Sequence, residues 1–208
     1  MLRIGVLVSG GGTNLQAIID AIKAGHIPDA RVELVISNKS KAYALTRAAN
    51  ENIKTSIITR QAFDTGNQFD LALVEALKAA SIDLVLLAGF MSILGPGFFA
   101  DFENKVMNVH PALIPAFSGP GYYGLKVHEA VLATGCKVTG ASVHFVTPEV
   151  DAGPLILQQA VAVHQDDDAE TLQRRVMEEA EWQIYPEAVR LFAEGSLIVK
   201  GNQVIIHK

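Results

Sequence analysis

A single cysteine and a single tryptophan among 208 residues set the first limits on this chain. With Cys136 alone, no intrachain disulfide can form and no multi-cysteine metal site can be assembled. Basic residues are sparse too: 17 Lys and Arg stand against 22 Asp and Glu, the formal net charge is −5, and no Lys/Arg run exceeds two residues. That balance argues against nucleic acid or an anionic membrane as the main partner. It does not exclude a phosphorylated small molecule, which backbone amides can bind without net positive charge. No apolar run approaches the ~20 residues needed to span a bilayer. The first residues, Met1 to Val8, lack the apolar region and cleavage site of a signal peptide, so a soluble cytoplasmic protein is expected.

What is present is a globular composition, half apolar and 19% charged, on a chain long enough to bury a substantial core. Apolar runs of strand length alternate with helical patterns. Strands are expected at Leu2–Val8, Val32–Ser37, Thr55–Thr59, Asp83–Ala88 and Lys105–Val109. Between them, Thr13–Ala24, Ala42–Asn50 and Asn67–Ala80 carry apolar residues at helical spacing. This alternation predicts an α/β fold, a mostly parallel twisted sheet with helices on both faces and right-handed crossovers. Further along the pattern changes. Val127–Ala133 reads as a helix, Ala141–Val146 and Leu155–Val163 as longer strands. Ala169–Glu194 reads as one helical stretch bent near Pro186. Leu197–Val199 and Gln203–Ile206 flank a hairpin turn at Lys200-Gly201-Asn202. No repeat, low-complexity tract or linker interrupts residues 1–208, which read as one domain with an N-terminal half to about residue 100.

Two segments carry chemistry. In Asn108-Val109-His110-Pro111 a short apolar run ends in an amide and an imidazole, and proline stops the strand. Positions i and i+2 of a strand share a face, so Asn108 and His110 point the same way. An amide donor beside a titratable imidazole suits a reacting carbonyl: one polarises oxygen, the other moves a proton. A carboxylate such as Asp151 could tune the imidazole, raising its pKa. The bland alternative is a strand end with satisfied polar caps.

The second segment, Val8-Ser9-Gly10-Gly11-Gly12-Thr13-Asn14, joins the first strand to the first helix. Its glycines let backbone approach a ligand at the positive end of a helix dipole. It is not a Walker A loop, and Leu15 stands where a dinucleotide-binding loop would need its third glycine. A tight strand-to-helix turn with no ligand is the competing reading.

Together these pieces resemble the glycinamide ribonucleotide formyltransferase family. The matching segments run in the family's order: Ser9–Ile18, Leu87–Leu94, Asn108–Pro111, Ser142–Val146 and Asp151–Pro154. The resemblance implies a Rossmann-like formyltransferase fold with antiparallel additions in the C-terminal half. It implies transfer of the formyl group of 10-formyltetrahydrofolate, a co-substrate, to the amine of phosphoribosylglycinamide in purine synthesis, with no metal. By the same likeness Gly12, Thr13 and Asn14 bind the substrate phosphate, and Glu181 holds the ribose hydroxyls, as a paired acceptor can. Asn108 and His110 act on the formyl oxygen, and Asp151 tunes His110 and shuttles a proton through water. Met91, Ser92, Ile93 and Leu94, together with Asn108, line the folate pocket. The half to about residue 100 is expected to bind phosphate and residues 101–208 to form the folate and catalytic half. A homodimer stays open as an assembly.

Two departures from the pattern stand out. Ser92 replaces an arginine common in the family, removing an ionic contact to the folate tail. The Gly119–Gly124 stretch differs from the family's shorter loop and reads by default as a mobile surface loop. Of the remaining histidines, His144 is expected to make a structural hydrogen bond near the site; His26, His128, His164 and His207 are expected to be solvated. Asp166–Asp168 should cap the long helix, Trp182 and Tyr185 should pack, and Cys136 should act as a small apolar residue.

Methionyl-tRNA formyltransferase and formyltetrahydrofolate hydrolase share the Asn-x-His…Asp arrangement. The first normally adds a basic C-terminal domain and the second an N-terminal regulatory domain, and neither extension is evident here. A non-catalytic phosphate binder would account for the glycine loop alone, leaving Asn108, His110 and Asp151 as coincidences.

Overall fold

The computed structural model describes residues 1–207. The chain forms two compact units, which divide between Met107 and Asn108. In the first unit, β1 (Leu2–Val8), β2 (Ala30–Ser37), β3 (Lys54–Ile57) and β4 (Leu84–Ala88) pair in the order β3-β2-β1-β4. Every pairing among them is parallel. Ile4, Val6, Leu7 and Val8 of β1 and Leu84, Val85 and Leu86 of β4 have no exposed surface. Continuous apolar strands of this kind are the mark of a parallel sheet covered on both faces.

Helices α1 (Thr13–Lys23), α2 (Tyr43–Asn50), α3 (Gly66–Ala79) and the short α4 (Pro96–Phe99) alternate with those strands. Helix α1 buries Leu15, Ile18 and Ile19, and α3 buries Phe69, Leu73, Val74 and Leu77. These are the stripes that the helical spacing predicts. The expected third strand is shifted: β3 ends at Ile57, because it pairs only with Leu34–Ser37 and the chain turns into a 3-10 segment at Arg60–Ala62.

The chain leaves the first unit within β5 (Val106–His110). In the second unit, β6 (Val138–Phe145) and β7 (Leu155–Ala162) are antiparallel, with Ser142 opposite Gln158 and Val143 opposite Leu157. The C-terminal hairpin of β8 (Leu197–Lys200) and β9 (Gln203–Ile206) is antiparallel, and β9 joins β7 at Leu155. The fold is therefore α/β, with the antiparallel additions in its C-terminal half. Strand β6 begins three residues before the expected Ala141, since its first residue, Val138, is exposed and outside the apolar run.

The long helical stretch is α6 (Ala169–Val176), a π turn at Met177–Glu181, and α7 (Trp182–Ala193); α5 (Leu125–Ala133) precedes them. The irregularity thus falls before Pro186 rather than at it. Pro186 lies inside α7, and its missing N–H and bulky ring disturb the carbonyls one turn back. The buried positions give a second reason. Leu172, Val176, Ala180, Ile184 and Ala188 are buried at an unbroken spacing of four, which would drift by about 40° per step on a straight α-helix. A wider π turn restores the phase, so one face stays buried throughout. Asp168 caps α6 by accepting the Thr171 N–H at 2.8 Å, as expected of that acidic run. Among the described residues, no helix is long and apolar enough to cross a membrane.

Helix α3 begins with a capping box: the Thr65 hydroxyl accepts the Gln68 N–H at 3.3 Å and the Gln68 amide oxygen accepts the Thr65 N–H at 3.1 Å. Replacing Thr65 with Ala should cost about 1 kcal/mol and Thr65→Ser much less. Chemical denaturation of the two variants checks this; equal losses would show that the cap does not hold the helix end.

Candidate active site

Strand β5 ends on the two residues that the motif singles out. His110 is its last residue and is buried, while Asn108 is half-buried two positions earlier. Within the second unit these side chains meet Asp151 and His144. His110 Nδ1 lies 3.5 Å from Asp151 Oδ2, and His144 Nε2 lies 3.6 Å from Asp151 Oδ1. Asn108 Nδ2 sits 3.3 Å from His144 Nε2. His144 is thus the structural partner expected beside the site. Its Nδ1 donates to the Phe145 carbonyl at 2.9 Å, because a carbonyl can only accept. In the neutral ring, with that proton on Nδ1, Nε2 accepts from the Asn108 amide; the hydrogen bond to Asp151 forms only when Nε2 carries a proton. The pairing fixes which way the amide faces and leaves Asn108 its second N–H.

Local backbone explains how Asp151 reaches this cluster. A Cβ on Gly153 would stand 1.8 Å from the Phe145 carbonyl oxygen, so only glycine lets the turn lie against the end of β6. Phe145 N–H closes the turn by donating to the Pro154 carbonyl at 2.9 Å. Asp151 itself has φ +54°, a left-handed conformation that Asp tolerates better than most residues. Its carboxylate also accepts the Gly119 N–H at 2.9 Å. The Gly119–Gly124 stretch, which the sequence leaves without a contact, therefore touches the cluster at its first residue; residues 120–124 are exposed.

The electrostatics of His110 differ from the expectation in net direction. Burial pushes its pKa below the ordinary 6.5; the Asp151 carboxylate and the Phe117 carbonyl pull it up, and His144 pushes it down again. The net shift is downward. Asp151 acts on His110 in the expected sense, but desolvation is larger. For Asp151, burial by itself raises the pKa, yet His144, His110 and the Gly119 N–H outweigh it and hold the carboxyl below its usual range. His110 Nε2 donates to the Phe117 carbonyl at 2.7 Å, which places the proton of the neutral ring on Nε2 and leaves Nδ1 bare toward Asp151. The Asp151 contact therefore strengthens when the ring takes up a second proton.

His128 corrects another expectation. It is wholly buried beside Val127 and Val131 on α5, and neither ring nitrogen has a hydrogen-bond partner. Burial, then repulsion from His110, brings its pKa down to about 4. The pattern of charged neighbours around it hid a residue on the apolar stripe. His26, His164 and His207 are exposed as expected, Tyr185 is buried, and half-buried Cys136 accepts a hydrogen bond from the Thr134 hydroxyl at 3.2 Å.

In the first unit, Gly12 is the residue before α1 and has φ +73°. A Cβ there would lie 2.6 Å from the Ala44 Cβ and 2.8 Å from its Cα. The fold itself demands glycine at this position. Gly10 and Gly11 differ: a Cβ on either would meet nothing within 4 Å. Their small size leaves open space, and at the helix N-terminus Thr13 is half-buried, Asn14 is buried and the N-cap residue, Gly12, has no side chain to cap with. Such a terminus suits an anion.

The Gly89–Gly95 loop is fastened at four points in the same unit. Met91 N–H donates to the Ser9 hydroxyl at 2.8 Å and the Asn38 amide donates to the Ser92 hydroxyl at 2.8 Å. Phe90 stacks on Phe69 with ring centres 6.5 Å apart, and Gly95 N–H donates to Asp70 at 2.8 Å. Fastened in this way, the loop keeps Met91 (47% exposed) and Ile93 (77%) on the surface, whereas the Leu94 side chain turns inward. Ser9 thereby links the glycine loop to this loop, a connection with no signal in the sequence. In the second unit, Glu181 is buried at the end of the π turn. Among the described residues, no group of three or more His, Cys, Asp or Glu is placed to hold a metal ion.

Comparison with known proteins places the chain in a family. The formyl transferase family model matches residues 2–189. Phosphoribosylglycinamide formyltransferase of Haemophilus influenzae is 41% identical over 202 residues, covering 97% of this chain and 92% of that protein. The human trifunctional purine biosynthetic protein adenosine-3 is 42% identical over 200 residues, but the chain spans only 19% of its length. Glycinamide ribonucleotide transformylase 1 from Symbiobacterium toebii superposes with a TM-score of 0.94 at 47% identity, covering 100% of this chain and 95% of that one. The chain belongs to the formyl transferase family.

Proposed function

We propose that this chain transfers the formyl group of 10-formyltetrahydrofolate to the amine of 5-phosphoribosylglycinamide, giving the N-formyl product and tetrahydrofolate, in the cytoplasmic synthesis of purines. The observation that carries this reading is the cluster of Asn108, His110, His144 and Asp151, its two imidazoles buried, in a chain of the formyl transferase family.

The attacking amine adds to the formyl carbon, and negative charge develops on the formyl oxygen. The second Asn108 N–H donates to that oxygen, with the amide held in position by His144. The His110 Nε2–H turns to it from the Phe117 carbonyl. The proton released by the amine passes through water to Nδ1, where the Asp151 carboxylate stabilises the imidazolium, and is then delivered to the departing folate nitrogen. A depressed His110 pKa keeps the ring neutral at neutral pH and able to accept that proton. The glycine-loop amides of Gly12 and Thr13, with Asn14, bind the substrate phosphate, and the Glu181 carboxylate accepts from the ribose hydroxyls. Met91 and Ile93 give apolar walls to the pterin, Leu94 gives backbone only, and Ser92 leaves the folate tail without an ionic partner.

Incubation with 10-formyltetrahydrofolate, followed by cofactor absorbance, should show consumption only when phosphoribosylglycinamide is present. Consumption without the acceptor would mark a hydrolase, and none in either case would mark a binder or a different acceptor.

Asn108→Ala should lower kcat by on the order of 10²–10³, or ~2.7–4 kcal/mol, the usual cost of one oxyanion donor. Because that bond belongs to the transition state, KM for both substrates should change little. Steady-state kinetics and thermal unfolding on one preparation decide it: near-normal kcat with a lowered melting temperature would falsify the catalytic role.

A further inference from the structure

The glycine loop is gripped from behind by α2. The Ala44 N–H donates to the Gly10 carbonyl at 3.0 Å, and the Arg47 Nε donates to the Gly11 carbonyl at 2.8 Å. In a trans peptide the C=O and the following N–H point in opposite directions. A carbonyl drawn toward α2 therefore turns the next N–H away from it. Ala44 in this way directs the Gly11 N–H, and Arg47 directs the Gly12 N–H, to the side opposite α2.

Arg47 is itself held in place. One terminal nitrogen lies 3.3 Å from the Gln16 amide oxygen, and the guanidinium stands over the Tyr43 ring at 5.1 Å. Its Cδ would lie 3.5 Å from a Cβ on Gly12, so the stem packs beneath the same turn. No acidic side chain is among these contacts, and the cation is directed at a carbonyl. A cation on the carbonyl oxygen polarises the peptide and strengthens the opposite N–H as a donor. Gly10 and Gly11 would accept a Cβ in this structure, so crowding at those two residues does not set the direction of the peptides.

We propose that Arg47 is a positioning residue for the phosphate subsite: it fixes and polarises the Gly11–Gly12 peptide so that the Gly12 N–H faces the substrate phosphate without Arg47 touching it. This rests on the reading of Gly12–Asn14 as the phosphate site. The sequence offers no hint of it, because Arg47 sits on a separate helix with no motif around it.

Steady-state kinetics of Arg47→Met and Arg47→Lys test the role, with inorganic phosphate as competitive inhibitor of the ribonucleotide. Methionine keeps the apolar stem and removes the donor. It should raise KM for the ribonucleotide and the inhibition constant for phosphate roughly tenfold or more, the size of one lost charge-assisted hydrogen bond. KM for the formyl donor and kcat should stay within about twofold on that same scale. Lysine, which keeps the charge and a donor, should recover part of the loss. An unchanged ribonucleotide KM in Arg47→Met overturns the proposal. So does an equal rise in both KM values with a lowered melting temperature, which marks general loosening. Wild-type protein that shows no ribonucleotide-dependent turnover and no phosphate competition would instead remove the functional reading beneath it.

Discussion

The burial of His110 between a carbonyl and a carboxylate is the interaction on which the cluster at the end of β5 depends. Removing an imidazole from water disfavours its charged form, and here that effect is the largest acting on the ring. Asp151 and the Phe117 carbonyl oppose it without reversing it. The outcome is an imidazole that favours its neutral form and whose protonated form has an acceptor at each nitrogen. Two non-glycine residues in left-handed conformations supply those acceptors, Phe117 at φ +50° and Asp151 at φ +54°. Backbone of that kind costs on the order of 1–3 kcal/mol per residue and persists only where its surroundings enforce it. The Gly119 N–H on Asp151 and the Gly153 turn against Phe145 are the enforcing contacts.

Glycine is not demanded equally along the loop after β1. Gly12 is set by the fold, since its φ and its closeness to Ala44 exclude a side chain. A Cβ on Gly10 or Gly11 would meet nothing within 4 Å, so crowding does not demand glycine at either. The demand for glycine by the strand-to-helix turn therefore applies to Gly12 and not to Gly10 or Gly11.

Much of this organisation was legible in the residues. The strand-helix alternation gave the parallel sheet because buried strands and amphipathic helices have distinct periods. Asn108 and His110 were legible as a pair because two-residue spacing on a strand is unambiguous. The placement of Asp151 came through likeness to a family, since no spacing rule links position 110 to position 151. Two features were hidden for physical reasons. The net shift on His110 depends on how deeply the ring is buried, and a motif carries no depth. His128 lies on a helix stripe whose neighbours Lys126 and Glu129 are exposed, so local charge suggested solvent where packing decides otherwise. The contacts of Phe117, Gly119 and Arg47 run through backbone carbonyls and amides, which every sequence contains and none advertises.

The central claim is that burial and Asp151 act on His110 in opposite directions, with burial the stronger. NMR titration of the His110 ring in the wild-type protein and in Asp151→Asn tests it most directly. The wild-type ring should titrate below 6.5, and the asparagine variant, having lost the opposing carboxylate, should titrate lower still. A wild-type value above 6.5, or a value unmoved by the substitution, would contradict the account.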